Sequence, residues 1–191
     1  MELFKIFISA FLINNVVLIR FLALCPFIGM STDVNKSLGM GLAVTFVTVL
    51  ATGVTYPIYH FILDPLGLVF LQILVFILVI ASLVQLVEFY LKKTAPALYG
   101  SMGIYLALIT TNCAILAVTF DVISNGYSFI EAVVFAAGVA AGFLLSLVIL
   151  AGIRDRLRSS EVPAFLKGTP ILFITAALLS MAFTGFSGLV K

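Results

Sequence analysis

Two cysteines, Cys25 and Cys113, are the residues of this chain best suited to bind a metal, and both lie in long apolar stretches. Thiolates are the usual ligands of iron–sulfur clusters and are common ligands of zinc. Polar residues accompany each cysteine, although the surrounding sequence is otherwise apolar: Asn14 and Asn15 before the first, and Thr110, Thr111 and Asn112 directly before the second. This pattern favours metal binding by the two thiols. The alternative is that both are small buried hydrophobic side chains.

The number of ligands limits what this site can be. Zinc sites and iron–sulfur clusters usually take four protein ligands. The only histidine, His60, lies at the far end of another apolar stretch. If Cys25 and Cys113 are ligands, two more must come from another chain. The backbone N–H groups of the five polar neighbours could then donate to cluster sulfurs.

The composition indicates that lipid surrounds most of the chain. Of its 191 residues 63% are hydrophobic and 9% charged, whereas a soluble domain has about 25% charged residues. Six apolar segments are long enough to span a bilayer, and such segments favour helices over barrel strands. We therefore predict an all-α integral membrane protein, a single domain over 1–191 with spans near 3–29, 38–62, 69–91, 100–123, 129–151 and 170–190.

The first and fourth segments carry features that break helices. As one helix, residues 3–29 would be about 40 Å long, which exceeds the roughly 30 Å hydrocarbon core. Pro26 also disfavours helix at Cys25. We predict a half helix followed by a non-helical stretch or a second short helix. The Thr-Thr-Asn run at 110–112 predicts a similar break, unless these side chains bond back to their own helix or to a neighbouring one.

The two halves of the chain, 1–95 and 96–191, resemble each other in one register. Asn112 follows Asn15 by 97 positions, and Gly138 follows Gly41 by the same 97 positions. Each half contains three predicted spans, an odd number, so the halves would have opposite orientations in the membrane. Such inverted repeats place their functional elements, often broken helices, near the midplane.

The basic residues predict the orientation. Lys5 and Lys191 lie on one side, and seven others fall in the odd-numbered loops: Lys36, Lys92, Lys93, Arg154, Arg156, Arg158 and Lys167. The positive-inside rule then places both termini outside the cytoplasm. Arg20 lies within a span, where we expect it to snorkel to the cytoplasmic face. Pairing with Asp33 is one alternative, and offsetting the negative charge of a thiolate-ligated cluster is the other.

Small residues in the fifth segment indicate close helix packing. Gly138 and Gly142 form a small-xxx-small pattern, which lets helix backbones approach each other in lipid. This pattern serves either a subunit interface or packing within the chain.

Four motifs resemble the A subunits of the Rnf complex, an ion-translocating ferredoxin:NAD oxidoreductase. They are Leu-Cys-Pro-Phe at 24–27, Thr-Thr-Asn-Cys at 110–113, Gly-Ile-Arg-Asp-Arg-Leu at 152–157 and the segment 185–191. The resemblance covers the whole chain. The E subunit of the sodium-pumping NADH:quinone oxidoreductase is a close relative and the alternative assignment, but the two cysteine motifs favour the Rnf protein.

The resemblance implies a cofactor, partners and a location. It implies that Cys25 and Cys113 bind a [2Fe–2S] cluster whose other two cysteines belong to the homologous E subunit, which has the opposite topology. The chain would be a translocase subunit of the cell inner membrane. Subunits B, C, D and G would be further partners. Electrons would pass through this chain between the cytoplasmic and outer-face subunits of the complex, and this transfer would be coupled to Na⁺ or H⁺ movement.

Two other functions compete with this one. Inverted repeats with broken helices also form small secondary transporters. A scaffold subunit with inert thiols is the second. The scarcity of intramembrane acids and the short chain disfavour a transporter.

Overall fold

The fold is helical throughout the part of the chain that the computed structural model describes: residues 2–13, 15–67, 69–94, 108–161, 163 and 166–185. The all-α prediction is confirmed there. We number the helices of seven residues or more in chain order: α1 Glu2–Ile8, α2 Leu24–Met30, α3 Val34–Ile58, α4 Gln72–Thr94, α5 Cys113–Ser124, α6 Phe129–Arg158 and α7 Thr169–Thr184.

Irregular turns extend several of these helices. A π-helical turn, Ser9–Ile13, continues α1, and a second one, Tyr59–Leu63, continues α3. Pro57 lies just before the second π turn. Because proline has no N–H and its ring crowds the preceding turn, it favours such a local change of winding.

Three of the described helices are long and apolar enough to cross a membrane: Val34–Leu63, Gln72–Tyr90 and Phe129–Arg158. Leu108–Ser124 and Thr169–Thr184 are shorter apolar helices. These five elements correspond to predicted segments two to six. The first half of segment four and the end of segment six lie largely outside the described residues.

The prediction that segment one is broken is confirmed. After Ile13 the described chain has no regular helix until Leu24, and residues 16–20 and 22–23 form turns. Phe21 and Ala23 have φ angles of 53° and 59°, in the left-handed region. That conformation costs a residue other than glycine about 1–2 kcal/mol, so surrounding contacts must hold this turn.

Helices α3 and α6 form the centre of the fold. Gly41 of α3 lies so close to Leu144 that an added Cβ would come within 2.8 Å of its side chain. On another part of α6, a Cβ at Gly138 would lie 2.9 Å from Ala10, and one at Gly142 would lie 2.7 Å from the carbonyl oxygen of Phe11. The small-xxx-small pattern therefore serves packing within the chain, against the first segment.

Several predicted boundaries were wrong. The sequence placed Lys36, Lys92 and Lys93 in loops, but Lys36 lies in α3 and the other two lie in α4. It also placed Arg154, Arg156 and Arg158 in a loop, but α6 continues to Arg158. Arginines suit the last turns of a helix because they complement the negative end of its dipole and can extend their long side chains toward water.

Candidate metal-binding site at two helix breaks

The second helix break places Cys113 at the start of a helix. Residues 108–110 are helical, Thr111 is in a turn, and Asn112 has extended backbone angles before α5 begins at Cys113. The Oδ1 atom of Asn112 accepts a hydrogen bond from the N–H of Ala114 at 3.0 Å. Asn112 is thus the N-cap of α5, and the predicted break and bonding back to the same helix both occur.

The first helix break is anchored by Asn15, which is completely buried. Its Oδ1 atom accepts from the N–H groups of Val17 and Leu18 at 3.2 and 3.4 Å. Its Nδ2 atom donates to the carbonyl oxygen of Gly142 at 3.0 Å and to Oγ of Ser146 at 2.7 Å. The Asn15 side chain is therefore fully engaged within the chain, so any contact with a cofactor would have to come from its backbone.

The two breaks share a local structure. In each, the side-chain oxygen of an asparagine accepts from the N–H two residues ahead, Val17 in one case and Ala114 in the other. The two asparagines are the pair that the sequence aligned at an offset of 97 residues. Short polar side chains that bond to nearby backbone in this way compete with regular helix, which explains why both helices stop here.

The backbone of the first break contacts the thiol of the second. The N–H of Ala23 donates to Sγ of Cys113 at 2.9 Å. Cys25 follows two residues later, in the first turn of α2. Both cysteines are free and exposed. The fold therefore places Cys113 against the turn that leads into Cys25, which fits a first segment that folds back after Asn15.

Within the described part of the chain, this surface does not by itself supply a complete set of metal ligands. Among the described residues, no three His, Cys, Asp or Glu side chains lie together as a metal would require. The donors present are two accessible thiols, which fit half of a four-thiolate cluster site.

Asn112 adds an unsatisfied donor beside Cys113. The residue is 5% exposed, and its Nδ2 atom is buried without a hydrogen-bond partner in the described part of the chain. An unpaired buried amide is costly and calls for an explanation. Of the other predicted neighbours, Thr110 is half-buried and Thr111 exposed, while Asn14 lies outside the described residues.

Contacts from later helices hold the segment that carries Cys25. The hydroxyl of Ser180, on α7, donates to the carbonyl oxygen of Leu18. On the other side of Cys25, the guanidinium of Arg154 donates to the carbonyl oxygen of Ile28 at 3.1 Å and to Oγ of Ser31 at 3.0 Å. Helices α6 and α7 thus fix both ends of the segment that carries Cys25.

Arg20 has a partner that the sequence did not suggest. Its guanidinium forms an ion pair of 2.6 Å with Asp121 of α5, and its snorkelling to the cytoplasmic face stays a prediction. Asp33, the alternative partner, pairs with Lys36 at 2.9 Å. The Arg20–Asp121 ion pair joins the first break to the helix that begins at Cys113.

Sequence reasoning missed several residues that build this site, chiefly Ser146, Ser180, Asp121 and the roles of Ala23 and Arg154. Asp121 could have been found, because an acid within a predicted span calls for a basic partner and Arg20 lies well inside the first predicted span. The left-handed angle of Ala23 has no sequence signal, since glycine is the usual residue at such angles.

These features define a polytopic helical membrane protein with two interrupted helices, each of which carries an exposed cysteine. The chain belongs to the Rnf-Nqr family: the family model described as "Rnf-Nqr subunit, membrane protein" matches residues 3–190. The predicted family and the membrane-embedded location are thereby confirmed.

Relatives resemble the chain over nearly its whole length. It is 55% identical over 189 residues to the A subunit of the ion-translocating oxidoreductase complex of Syntrophotalea carbinolica, a match that covers 99% of this chain and 98% of the relative. It is 53% identical, with the same coverage, to the A subunit of the Na⁺-translocating ferredoxin:NAD⁺ oxidoreductase complex of Acetobacterium woodii. The A subunit of the ion-translocating oxidoreductase complex of an Azoarcus species is 51% identical over 190 residues, 100% of this chain and 98% of the relative.

Proposed function

We propose that this chain is a membrane component of an ion-translocating ferredoxin:NAD oxidoreductase and relays electrons across the membrane. The names of relatives at 53–55% identity support the class of complex. The observation that carries the electron-relay role is the meeting of the two cysteine-bearing breaks, where the N–H of Ala23 donates to Sγ of Cys113.

In this proposal Cys25 and Cys113 hold half of a [2Fe–2S] cluster. When bound, the cluster supplies a one-electron carrier within the membrane. Both thiols are exposed, which suits ligands that must also reach a group held by a second protein. The partner that fits is the homologous E subunit, whose opposite topology would place two matching cysteines against this surface. The B, C, D and G subunits would complete the electron path on the two sides.

The chain's own residues prepare this surface. Helix α5 begins at Cys113, and the positive end of its dipole favours the negative charge of a thiolate-ligated group. Asn112 precedes Cys113 in the chain, and its Nδ2 atom, which has no partner among the described residues, would be a donor for a cluster sulfur. The Asn15 anchor, by contrast, fixes the turn that places Cys25.

Two features of the structure support an inverted repeat of three spans in each half. The aligned asparagines make the same turn. The two halves also make equivalent contacts with each other, as a two-fold axis requires. The first segment packs on α6 of the second half, and α5 of the second half packs on α3 of the first. The two breaks would then lie near the membrane midplane. An electron carrier at that depth divides the path between the two faces into two shorter transfer steps.

The orientation belongs to the same proposal. The described parts of predicted loops one and five meet around one cavity, and Lys36 and Arg158 are among the residues that line it. The basic residues of these two regions therefore lie at one end of the helices. Placed by the positive-inside rule, that end faces the cytoplasm of the cell inner membrane, and both termini lie outside.

The test is electron transport in membranes. A strain lacking this protein is complemented with the parent chain, with Cys25→Ser and with Cys113→Ser, and ferredoxin-dependent NAD reduction is measured together with ion uptake into inverted vesicles. We expect each cysteine variant to assemble but lose both activities, whereas Ser124→Ala, an exposed substitution at the far end of α5, keeps them. Full activity in either cysteine variant rules out the proposed path.

A further inference from the structure

A cavity lies where the N-terminal end of α3, the C-terminal end of α6 and the start of α7 come together. Its volume is about 740 Å³. Four basic side chains and one acidic side chain line it: Lys36, Arg154, Arg158, Lys167 and Asp33. Its lining therefore carries three net positive charges and suits an anion.

The basic residues of this cavity favour the ionised form of its acidic residue, Asp33. The hydrogen bond and charge of Lys36 lower the pKa of the Asp33 carboxyl, and the charges of Arg158 and Arg154 lower it further. Within the described residues, neither Arg158 nor Lys167 forms a salt bridge. These two cations are therefore available to a ligand.

The start of α7 adds to the attraction for an anion. Gly168, which precedes the helix with a φ angle of 101°, has no side chain to cap the first N–H groups. Uncapped N–H groups and the helix dipole together form a partial positive charge, and Gly168 lines the cavity beside Lys167.

Apolar side chains continue from the cavity in a way that suits a lipid. Ile171 lines the cavity itself. From it an apolar stripe runs along α7 at helical spacing through Ile174, Leu178 and Met181, which are 48%, 59% and 64% exposed. A free phosphate would use only the basic end, whereas a phospholipid would cover both the basic end and the stripe.

We propose that this cavity binds the phosphate of an anionic phospholipid whose acyl chains lie along the apolar stripe of α7. Basic pockets between membrane helices bind anionic headgroups in this way. The site is separate from the cysteine surface, although Arg154 touches both, since it also donates to Ile28 and Ser31. A bound lipid would therefore help to fix the helix that carries Cys25.

The test uses the intact complex in vesicles that contain either a photoreactive phosphatidylglycerol or a photoreactive phosphatidylcholine. After illumination, labelled peptides are mapped by mass spectrometry. We expect the anionic probe to label peptides from 154–181 in strong preference to the zwitterionic one. The double variant Arg158→Gln/Lys167→Gln should lower labelling about twenty-five fold, because each basic side chain contributes roughly fivefold to affinity for anionic lipid.

Two control variants separate charge from loss of fold. Lys92→Gln/Lys93→Gln removes the same charge at the end of α4, outside the cavity, and should leave labelling unchanged. Arg158→Lys/Lys167→Arg keeps the charge and should retain most of it.

Three outcomes overturn the proposal. Equal labelling by the two probes means a non-specific apolar surface. Suppression of labelling by inorganic phosphate at constant ionic strength means a site for a soluble phosphate compound. Absence of label on these peptides in the intact complex means that another protein of the complex covers the cavity.

Discussion

The backbone N–H of Ala23 lies 2.9 Å from the sulfur of Cys113 and donates to it. The two residues are 90 positions apart in the chain, so the contact joins the first segment to the second half. Ala23 has a left-handed backbone and Cys113 begins α5. An irregular turn and a helix start thus come together, and Cys113 lies against the turn that leads into Cys25.

Replacement of Gly142 should destabilise the protein, whereas replacement of Gly152 in the same helix should not. A Cβ at Gly142 would lie 2.7 Å from the carbonyl oxygen of Phe11, whereas nothing lies within 4 Å of one at Gly152. An exposed helical Gly→Ala change otherwise stabilises by about 1 kcal/mol. We expect Gly152→Ala to be neutral or stabilising and Gly142→Ala to destabilise, as measured by thermal unfolding in detergent. Equal effects of the two changes are incompatible with the close packing described.

Asn15 and Asn112 should differ in their contribution to stability, although the sequence aligns them. Asn15 makes four hydrogen bonds through its side chain and Asn112 one. At about 1 kcal/mol for each net bond, Asn15→Ala should cost roughly 3–4 kcal/mol of unfolding free energy and Asn112→Ala about 1 or less. Ser146→Ala, which removes one partner of Asn15, should fall between them. If Asn112→Ala is the more damaging of the two, the anchoring role of Asn15 is wrong.

Arg20 and Asp121 should be energetically coupled. They form an ion pair of 2.6 Å, with side chains 46% and 22% exposed in the isolated chain. We expect Arg20→Gln and Asp121→Asn each to destabilise the protein, and the double variant to cost less than their sum by about 1 kcal/mol. The double-mutant cycle is measured by chemical unfolding in detergent. Simple additivity shows that the ion pair contributes nothing.

Asn112 should tune the bound group more than it stabilises the fold. Its Nδ2 atom is buried and unpartnered in the described part of the chain, beside Cys113. Hydrogen bonds to cluster sulfurs help to set the reduction potential, and a lost donor favours the oxidised form. Under the proposed function, Asn112→Ala should therefore lower the midpoint potential of the cluster in a redox titration of the complex. An unchanged potential with full iron content means that Nδ2 has another partner.

The helical class, the break in the first segment and the pairing of the two asparagines could be predicted, because each depends on local chemistry. Pro26 opposes helix at Cys25, and asparagine bonds to its own backbone. The repeat register identifies Asn15 and Asn112 as equivalent from the sequence alone.

What could not be predicted depends on contacts between distant segments. The partner of Arg20 is 101 positions away, and the anchor of Asn15 on Ser146 spans 131 positions. The φ angle of Ala23 follows from the fold around it, since alanine alone favours right-handed backbone. Helix α6 extends to Arg158 because arginine suits a helix C-terminus. Charge counting alone had assigned this stretch to a loop.

The central claim is that Cys25 and Cys113 bind iron jointly with a second protein of the complex. It is tested most directly by iron content and the EPR spectrum of the reduced complex, for the parent, Cys25→Ser, Cys113→Ser and Ser124→Ala. We expect each cysteine variant to lose one [2Fe–2S] signal and about two irons per complex, and Ser124→Ala to keep the signal and the iron. Full iron content and an unchanged spectrum in both cysteine variants would contradict it.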